Sequence, residues 1–90
     1  MIAIPYNQKL IKKNEKRFGQ NDGGACIICS AKIKDLAEHK LWVRLVNGGG
    51  YIGTTEEAES NPDADLGYYP IGTDCLKSNP EIAKYANDGR

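Results

Sequence analysis

Three cysteines constrain the fold of this chain more than any other feature. Cys26 and Cys29 are separated by two residues, and Cys75 follows far downstream in a sequence of 90 residues. Three thiols cannot all pair within one chain, so a complete disulfide framework is excluded. With one Phe, one Trp and 40% hydrophobic residues, the chain has a small core and needs an additional staple. We therefore expect the cysteines to bind a metal ion.

Zinc is the metal that suits these residues. It prefers thiolate and imidazole ligands in a tetrahedral arrangement, and two thiolates separated by two residues can bind one ion from a tight turn. The only histidine of the chain, His39, completes a set of four zinc ligands with Cys26, Cys29 and Cys75. The sequence thus predicts one structural Zn²⁺ with His39 as its fourth ligand and Asp74 as the substitute for His39.

Other interpretations of the cysteines remain open. Cys26 and Cys29 can form a redox pair, although no βαβ unit surrounds them. Cys75 and His39, oriented by Asp74, can form the nucleophilic pair of a small cysteine-dependent enzyme. The three thiols can also be ordinary buried side chains. The stoichiometry favours zinc, and four protein ligands would leave no open position for catalysis, so we predict a protein that is not an enzyme.

Local patterns predict a small α+β fold in which zinc staples a β-hairpin with flanking helices. Helix formers occupy residues 5–18, and strands are expected over 40–46 and 51–53 around a glycine turn. The spacing of Thr54 and Glu57 predicts a capping box and a helix over residues 55–60. An extended segment over 67–72 leads to Cys75, and a last helix is expected to begin at Pro80 and to fray from Asn87.

The order of these parts resembles a known group of small zinc modules. A Cys-x-x-Cys turn, a hairpin and then a cysteine near a helix start, over residues 26–84, are similar to treble-clef and zinc-ribbon modules. A treble clef normally takes two ligands from its final helix. In this chain Cys75 is one of them, and Ser78 occupies the position of the other. The segment 67–77 also looks like short phage, plasmid and bacterial proteins, which implies a mobile-element setting. We expect a basic helical segment and loop over 1–24 and a zinc-binding domain over 25–90, in one compact unit.

Charge is polarised along the chain and suggests two kinds of partner. Residues 1–45 carry nine Lys/Arg and four Asp/Glu. Residues 46–90 carry three Lys/Arg and eight Asp/Glu. The predicted protein-binding residues are Trp42, Tyr51, Glu56, Glu57, Glu59, Tyr68 and Tyr69, with a host defence or regulatory protein as partner. The alternative is nucleic acid, bound by Lys9, Lys12, Lys13, Lys16 and Arg17. Protein binding ranks higher because the net charge is zero.

Other functions receive no support from the sequence. Gly48-Gly49-Gly50 lacks the flanking pattern and lysine of a phosphate-binding loop, so no small-molecule substrate is predicted. The first residues lack the basic flank of a secretory signal, and no apolar run reaches the roughly 18–20 residues of a membrane span. Together with reduced cysteines, these features predict a cytoplasmic protein.

Overall fold

The computed structural model describes residues 1–87, so the last three residues of the predicted 25–90 domain lie outside it. The strands are β1 (Ile2–Ala3), β2 (Trp42–Val46), β3 (Tyr51–Gly53) and β4 (Gly67–Pro70), and the α-helices are α1 (Gln8–Phe18), α2 (Thr55–Ser60) and α3 (Thr73–Ser78). Short 3₁₀ segments cover Leu36–Glu38, Asn47–Gly49, Pro62–Ala64 and Pro80–Tyr85. These elements confirm the predicted small α+β fold.

The four strands form one antiparallel sheet in the order β1-β3-β2-β4. The predicted hairpin is formed by β2 and β3, with Leu45 opposite Ile52. Its turn contains Asn47, Gly48 and Gly49 at φ values of 53°, 82° and 96°. Asn and Gly are the residues that adopt positive φ at least cost, which explains why the chain reverses here.

Local capping explains where the helices begin. The side chain of Asn7 accepts a hydrogen bond from Leu10 N at 3.1 Å, so α1 begins at Gln8, three residues later than predicted. The predicted capping box is present at α2, where Thr54 and Glu57 each satisfy the other's backbone N–H. Hydrogen bonds from neighbouring side chains therefore explain where α1 and α2 begin.

The C-terminal segment differs from the predicted helix. Residues Pro80–Tyr85 form a 3₁₀ segment, in which Ile82 is fully buried in the core. Asn87, which was expected to fray, pairs with Trp42 through backbone hydrogen bonds of 2.8 and 2.9 Å. Tertiary pairing at the first residue of β2 therefore orders a segment whose local sequence predicts fraying.

The core lies on one face of the sheet. Val43, Leu45 and Ile52 point into it, and Ile28 and Ile71 complete it from outside the strands. These side chains are at most 3% exposed, so the sheet and the cysteine-bearing segments share a single apolar cluster. The cysteines consequently sit in the core rather than beside it.

The N-terminal segment is joined to the rest of the fold at several points. β1 pairs with β3, and the N–H of Asn7 donates to the carbonyl oxygen of Ile28 at 2.9 Å. The N-terminal ammonium of Met1 forms an ion pair of 2.6 Å with Glu57. None of the side chains of α1 is fully buried. No helix within residues 1–87 is long and apolar enough to cross a membrane.

Candidate metal centre

Cys26 and Cys29 lie on a tight turn. The N–H of Ser30 donates to the carbonyl oxygen of Cys26 at 2.8 Å. The N–H of Cys26 donates to the carbonyl oxygen of Ala31 at 2.9 Å. Ser30 adopts a φ of 63°, a left-handed conformation that lets the chain turn back directly after Cys29. The turn, which we call the knuckle (residues 25–32), brings both thiols toward the same point.

Cys75 reaches the knuckle from the first turn of α3. β4 runs alongside β2 and ends against the knuckle, where the N–H of Ile27 donates to the carbonyl oxygen of Pro70 at 3.0 Å. The N–H of Gly72 then donates to Cys26 Sγ at 3.2 Å. α3 begins immediately after this contact, so a long-range strand pairing delivers Cys75 to the other two thiols.

The three sulfur atoms form a compact group. They all lie within 4.8 Å of one another, and Cys26, Cys29 and Cys75 are 0%, 6% and 8% exposed. All three cysteines are free thiols. Zn–S bonds of about 2.3 Å in a tetrahedral site separate the sulfurs by about 3.8 Å. The structure therefore confirms that the three predicted cysteines lie within the reach of a single metal ion.

Burial raises the pKa of the Cys29 and Cys75 thiols. Desolvation raises the pKa of Cys29, although the N–H of Ala31 hydrogen bonds to its sulfur and opposes the shift. Desolvation also raises the pKa of Cys75, and the adjacent Cys29 and Cys26 thiols add to the increase. A divalent cation bound by these sulfurs would offset both effects, because it would displace the protons.

His39 does not join the three sulfurs. Its Nε2 lies 2.8 Å from the carbonyl oxygen of Ile71, and its ring meets the ring of Trp42 edge-on at 6.0 Å between centroids. Trp42 Nε1 also donates to the backbone oxygen of His39 at 2.7 Å. Within residues 1–87, the group that can hold one ion contains the three cysteines without His39 or Asp74. The fourth-ligand role of either residue stays a prediction.

A cleft of about 850 Å³ borders the sulfur group. The three cysteines form part of its wall, α1 contributes Gln8 and Asn14, and α3 contributes Thr73 and Ser78. Asp74 lines the same cleft, next to Cys75. The thiols are thus buried in the core on one side and border an accessible space on the other.

Asparagine side chains hold the cysteine-bearing segments in place, a role that the sequence did not reveal. Asn14 Nδ2 donates to the carbonyl oxygen of Cys29 at 2.9 Å, and Asn79 Nδ2 donates to that of Cys75 at 2.8 Å. Asn21 makes longer contacts, at 3.3 and 3.4 Å, with the carbonyl oxygens of Ala25 and Cys26. The contacts of Asn21 and Asn79 reach residues only four or five positions away, whereas Asn14 joins α1 to a residue 15 positions away, a contact for which the sequence carries no signal.

The predicted protein-binding residues do not lie on a single face. Strand alternation places Tyr69 opposite Val43 on the core face, whereas Tyr68 pairs with Arg44 on the other face. Trp42 lies on the same face as Tyr68, and Tyr51 is 38% exposed. The exposed acidic residues Glu56 and Glu59 belong to α2, and Glu57 is engaged by Met1 and Thr54. Their role in binding stays a prediction.

The predicted basic residues, in contrast, share one exposed helix. All five are exposed on α1, and none forms an ion pair with another residue of the described range 1–87: Lys9, Lys12, Lys13, Lys16 and Arg17. The guanidinium of Arg17 lies 5.0 Å from the centre of the Phe18 ring. This helix therefore presents a positively charged surface that the fold itself does not neutralise.

Comparisons with known proteins give no further guide to function. No protein-family model matches the chain, and neither a curated protein nor a solved structure matches it significantly. The functional argument consequently rests on the residues of this chain and on the geometry described above.

Proposed function

We propose that the protein is a non-enzymatic binding module stabilised by one zinc ion, and that its outer surface binds a protein partner. The observation that carries this proposal is the convergence of Cys26, Cys29 and Cys75 in the core. Three buried thiols whose sulfurs lie this close match the spacing and chemistry of a metal-binding group. The ion joins the knuckle to α3 and so stabilises the fold on which the surface depends.

Zinc accounts for the donor set better than magnesium, calcium or an iron–sulfur cluster. Thiolate ligands select zinc, copper(I) or iron–sulfur clusters, whereas magnesium and calcium require oxygen ligands. An iron–sulfur cluster takes four cysteines, and this chain has three. The N–H of Gly72 hydrogen bonds to Cys26 Sγ at 3.2 Å, and contacts of this kind orient the ligands of a metal ion.

Metal analysis of gently purified protein tests the zinc site directly. We expect one zinc per chain in the wild type, and loss of that zinc in Cys75→Ser. Ser78→Ala, which changes an exposed residue on the same helix, serves as the matched control and should retain the metal. Wild-type protein without stoichiometric metal, or Cys75→Ser protein with full zinc content, would contradict the proposal.

The protein-binding surface is proposed on the side of the sheet that faces away from the core. Arg44 lies against the Tyr68 ring at 5.2 Å and pairs with Asp65 through hydrogen bonds of 2.6 and 3.2 Å. Trp42 extends this face, and Glu56 and Glu59 are exposed on α2. Aromatic and arginine side chains are the residues enriched in protein interfaces. The resemblance to short phage and plasmid proteins supports a host defence or regulatory protein as the partner.

A pull-down from host extract tests this surface. Glu56→Lys with Glu59→Lys reverses the exposed charge of α2 without touching Glu57, which caps the helix. The matched control is Glu15→Lys with Glu81→Lys, which makes the same charge change at exposed positions elsewhere. We expect the α2 variant to lose a partner that the control retains, because the two proteins have equal net charge. Equal capture by both variants would count against the acidic surface.

Nucleic-acid binding by α1 is the second candidate. It is favoured by the five exposed basic side chains that form no ion pairs within residues 1–87. The test is a titration with DNA and RNA at low and at moderate salt, because phosphate contacts make affinity fall steeply with salt. Lys9→Gln with Lys13→Gln should weaken such binding, and Lys32→Gln with Lys34→Gln is the control at the same net charge. Absence of binding at low salt rejects this candidate.

A further inference from the structure

The five exposed cations of α1 form one surface, which we call the basic face: Lys9, Lys12, Lys13, Lys16 and Arg17. We infer that the basic face binds double-stranded nucleic acid along the phosphate backbone, without reading the base sequence. This rests on nucleic-acid binding, the second candidate of the proposed function, and it specifies the form of nucleic acid and the mode of contact. The direction of the face, its charge density and its side-chain chemistry support it.

The basic face points away from the body of the protein. Successive residues of an α-helix lie about 100° apart around its axis, so the five cations fall within a sector of about 140°. Ile11 and Asn14 are the only residues of α1 (Gln8–Phe18) that are not exposed, and they lie on the opposite side of the helix. Asn14 Nδ2 donates from there to the carbonyl oxygen of Cys29 at 2.9 Å. The fold therefore holds α1 by one side and leaves the cations accessible on the other.

The cations of the basic face keep their charge available for a partner. None of the five side chains forms an ion pair with a residue of the range 1–87. Glu15 is the only acidic residue of α1, and it lies about 130° around the helix axis from the middle of the basic face. An approaching polyanion consequently meets five positive charges and no carboxylate on this side of the helix.

The charge density of the basic face fits a duplex better than a single strand. From Lys9 to Arg17 the helix rises about 12 Å, because each residue adds about 1.5 Å. A DNA duplex carries about seven phosphates over that length, whereas one strand carries about three or four. The major groove of a duplex admits an α-helix and is bordered by both strands. Five cations can therefore find separate phosphates on a duplex, but they outnumber those of a single strand.

Side-chain chemistry also disfavours a single strand. Proteins that bind single strands combine positive charge with aromatic side chains on which the bases stack. The basic face contains no aromatic residue. Phe18 lies on the opposite side of α1, where it lines a cavity together with Leu36. The guanidinium of Arg17 lies 5.0 Å from the centre of that ring. The basic face thus offers charge without a platform for stacking.

The basic face lacks the side chains that distinguish one base from another. Adenine is typically read by Asn or Gln, and cytosine by Glu or Asp. Asn14 is bonded to the backbone of Cys29, and Gln8 borders the cleft at the sulfurs. Glu15 lies outside the basic face. The face therefore presents positively charged donors alone, and every phosphate accepts such donors whatever the base attached to it.

Fluorescence anisotropy of the full chain with a labelled DNA duplex of about 20 base pairs provides the experiment. Each phosphate contact contributes about 0.9 to the slope of log affinity against log salt, so five contacts give a slope of about −4.5. Affinity should then fall about 500-fold between 50 and 200 mM salt. A duplex of A·T pairs and a duplex rich in G·C pairs should bind within about twofold of each other, and a single strand of the same length should bind about fivefold more weakly.

Paired variants connect the slope to the basic face. Lys12→Gln with Lys16→Gln should reduce the slope to about −2.7, which is a fall in affinity of about 40-fold over the same salt range. Gln is a comparably good helix former, so α1 is retained. Lys12→Arg with Lys16→Arg preserves both charges and should preserve the wild-type slope. Lys40→Gln with Lys77→Gln removes the same charge at exposed positions outside α1 and should also preserve it.

Contrary results separate the parts of the inference. A slope shallower than about −2, or an unchanged slope in Lys12→Gln with Lys16→Gln, would overturn the phosphate contacts of α1. Tighter binding of the single strand would overturn the preference for a duplex, and a preference of about tenfold between the two duplexes would overturn contact without base reading. Vesicles of anionic lipid are titrated in parallel, and binding to them without binding to the duplex would assign the face to a membrane surface instead. Absence of binding to any nucleic acid at 50 mM salt would reject the second candidate itself.

Discussion

Replacing Cys75 with serine removes one thiolate and breaks the link between α3 and the knuckle. The loop from Cys29 to Cys75 contains about 46 residues, and closing a loop of that length restricts the unfolded chain by about 4 kcal/mol on the chain-entropy treatment of cross-links. A domain of this size has a total stability of only about 5–13 kcal/mol. The substitution is therefore expected to remove a large part of the free energy of unfolding.

The assay is thermal and denaturant unfolding, each measured with and without a chelator. A loss of about 4 kcal/mol corresponds to a decrease in Tm of about 20 °C for a chain of this length. Chelation should lower the Tm of the wild type by a similar amount and leave Cys75→Ser unaffected, because the variant has already lost the link. Cys26→Ser should match Cys75→Ser. A wild type insensitive to the chelator, or a variant that loses a further comparable amount with it, would refute this reasoning.

Three more predictions concern the rest of the fold. Ile82→Ala, at a fully buried core position, should cost about 2–5 kcal/mol in denaturant unfolding, and a cost under 1 kcal/mol would contradict its place in the core. Thr54→Ala removes the cap of α2 and should cost about 0.5–2 kcal/mol, with Thr55→Ala as the neighbouring control. Arg44 lowers the pKa of Asp65, so their pair stabilises the protein above pH of about 4 and is lost as the pH falls further. Asp65→Asn should flatten acid unfolding in that range, and an unchanged pH profile would count against the pair.

Some features followed from residues close together in the sequence. The capping box of Thr54 and Glu57 spans a single helical turn, and the hairpin turn contains residues that tolerate positive φ. Both depend on conformational preferences that act over a few residues, and both are present as predicted. Helix α1 begins at Gln8 rather than at Pro5, because the side chain of Asn7 caps its first turn.

Other features depended on contacts between distant segments. The two-residue strand β1 has too short a pattern to be recognised, and its pairing with β3 provides its hydrogen bonds. Glu57 forms an ion pair with the distant ammonium group of Met1, and its predicted role in binding stays a prediction. The role of His39 as a zinc ligand stays a prediction, and tertiary packing brings its Nε2 to 2.8 Å from the carbonyl oxygen of Ile71. No local pattern encodes these partners, since long-range packing selects them.

The cysteine site separates what the sequence determines from what only the tertiary structure determines. The sequence by itself determined that three thiols are available to bind a metal ion, because it contains three cysteines. It also determined the tight turn that brings Cys26 and Cys29 together. Only the tertiary structure decided that Cys75 lies beside Cys26 and Cys29. The register of β4 on β2 sets the position of α3, and that register is determined by core packing between residues far apart in the chain.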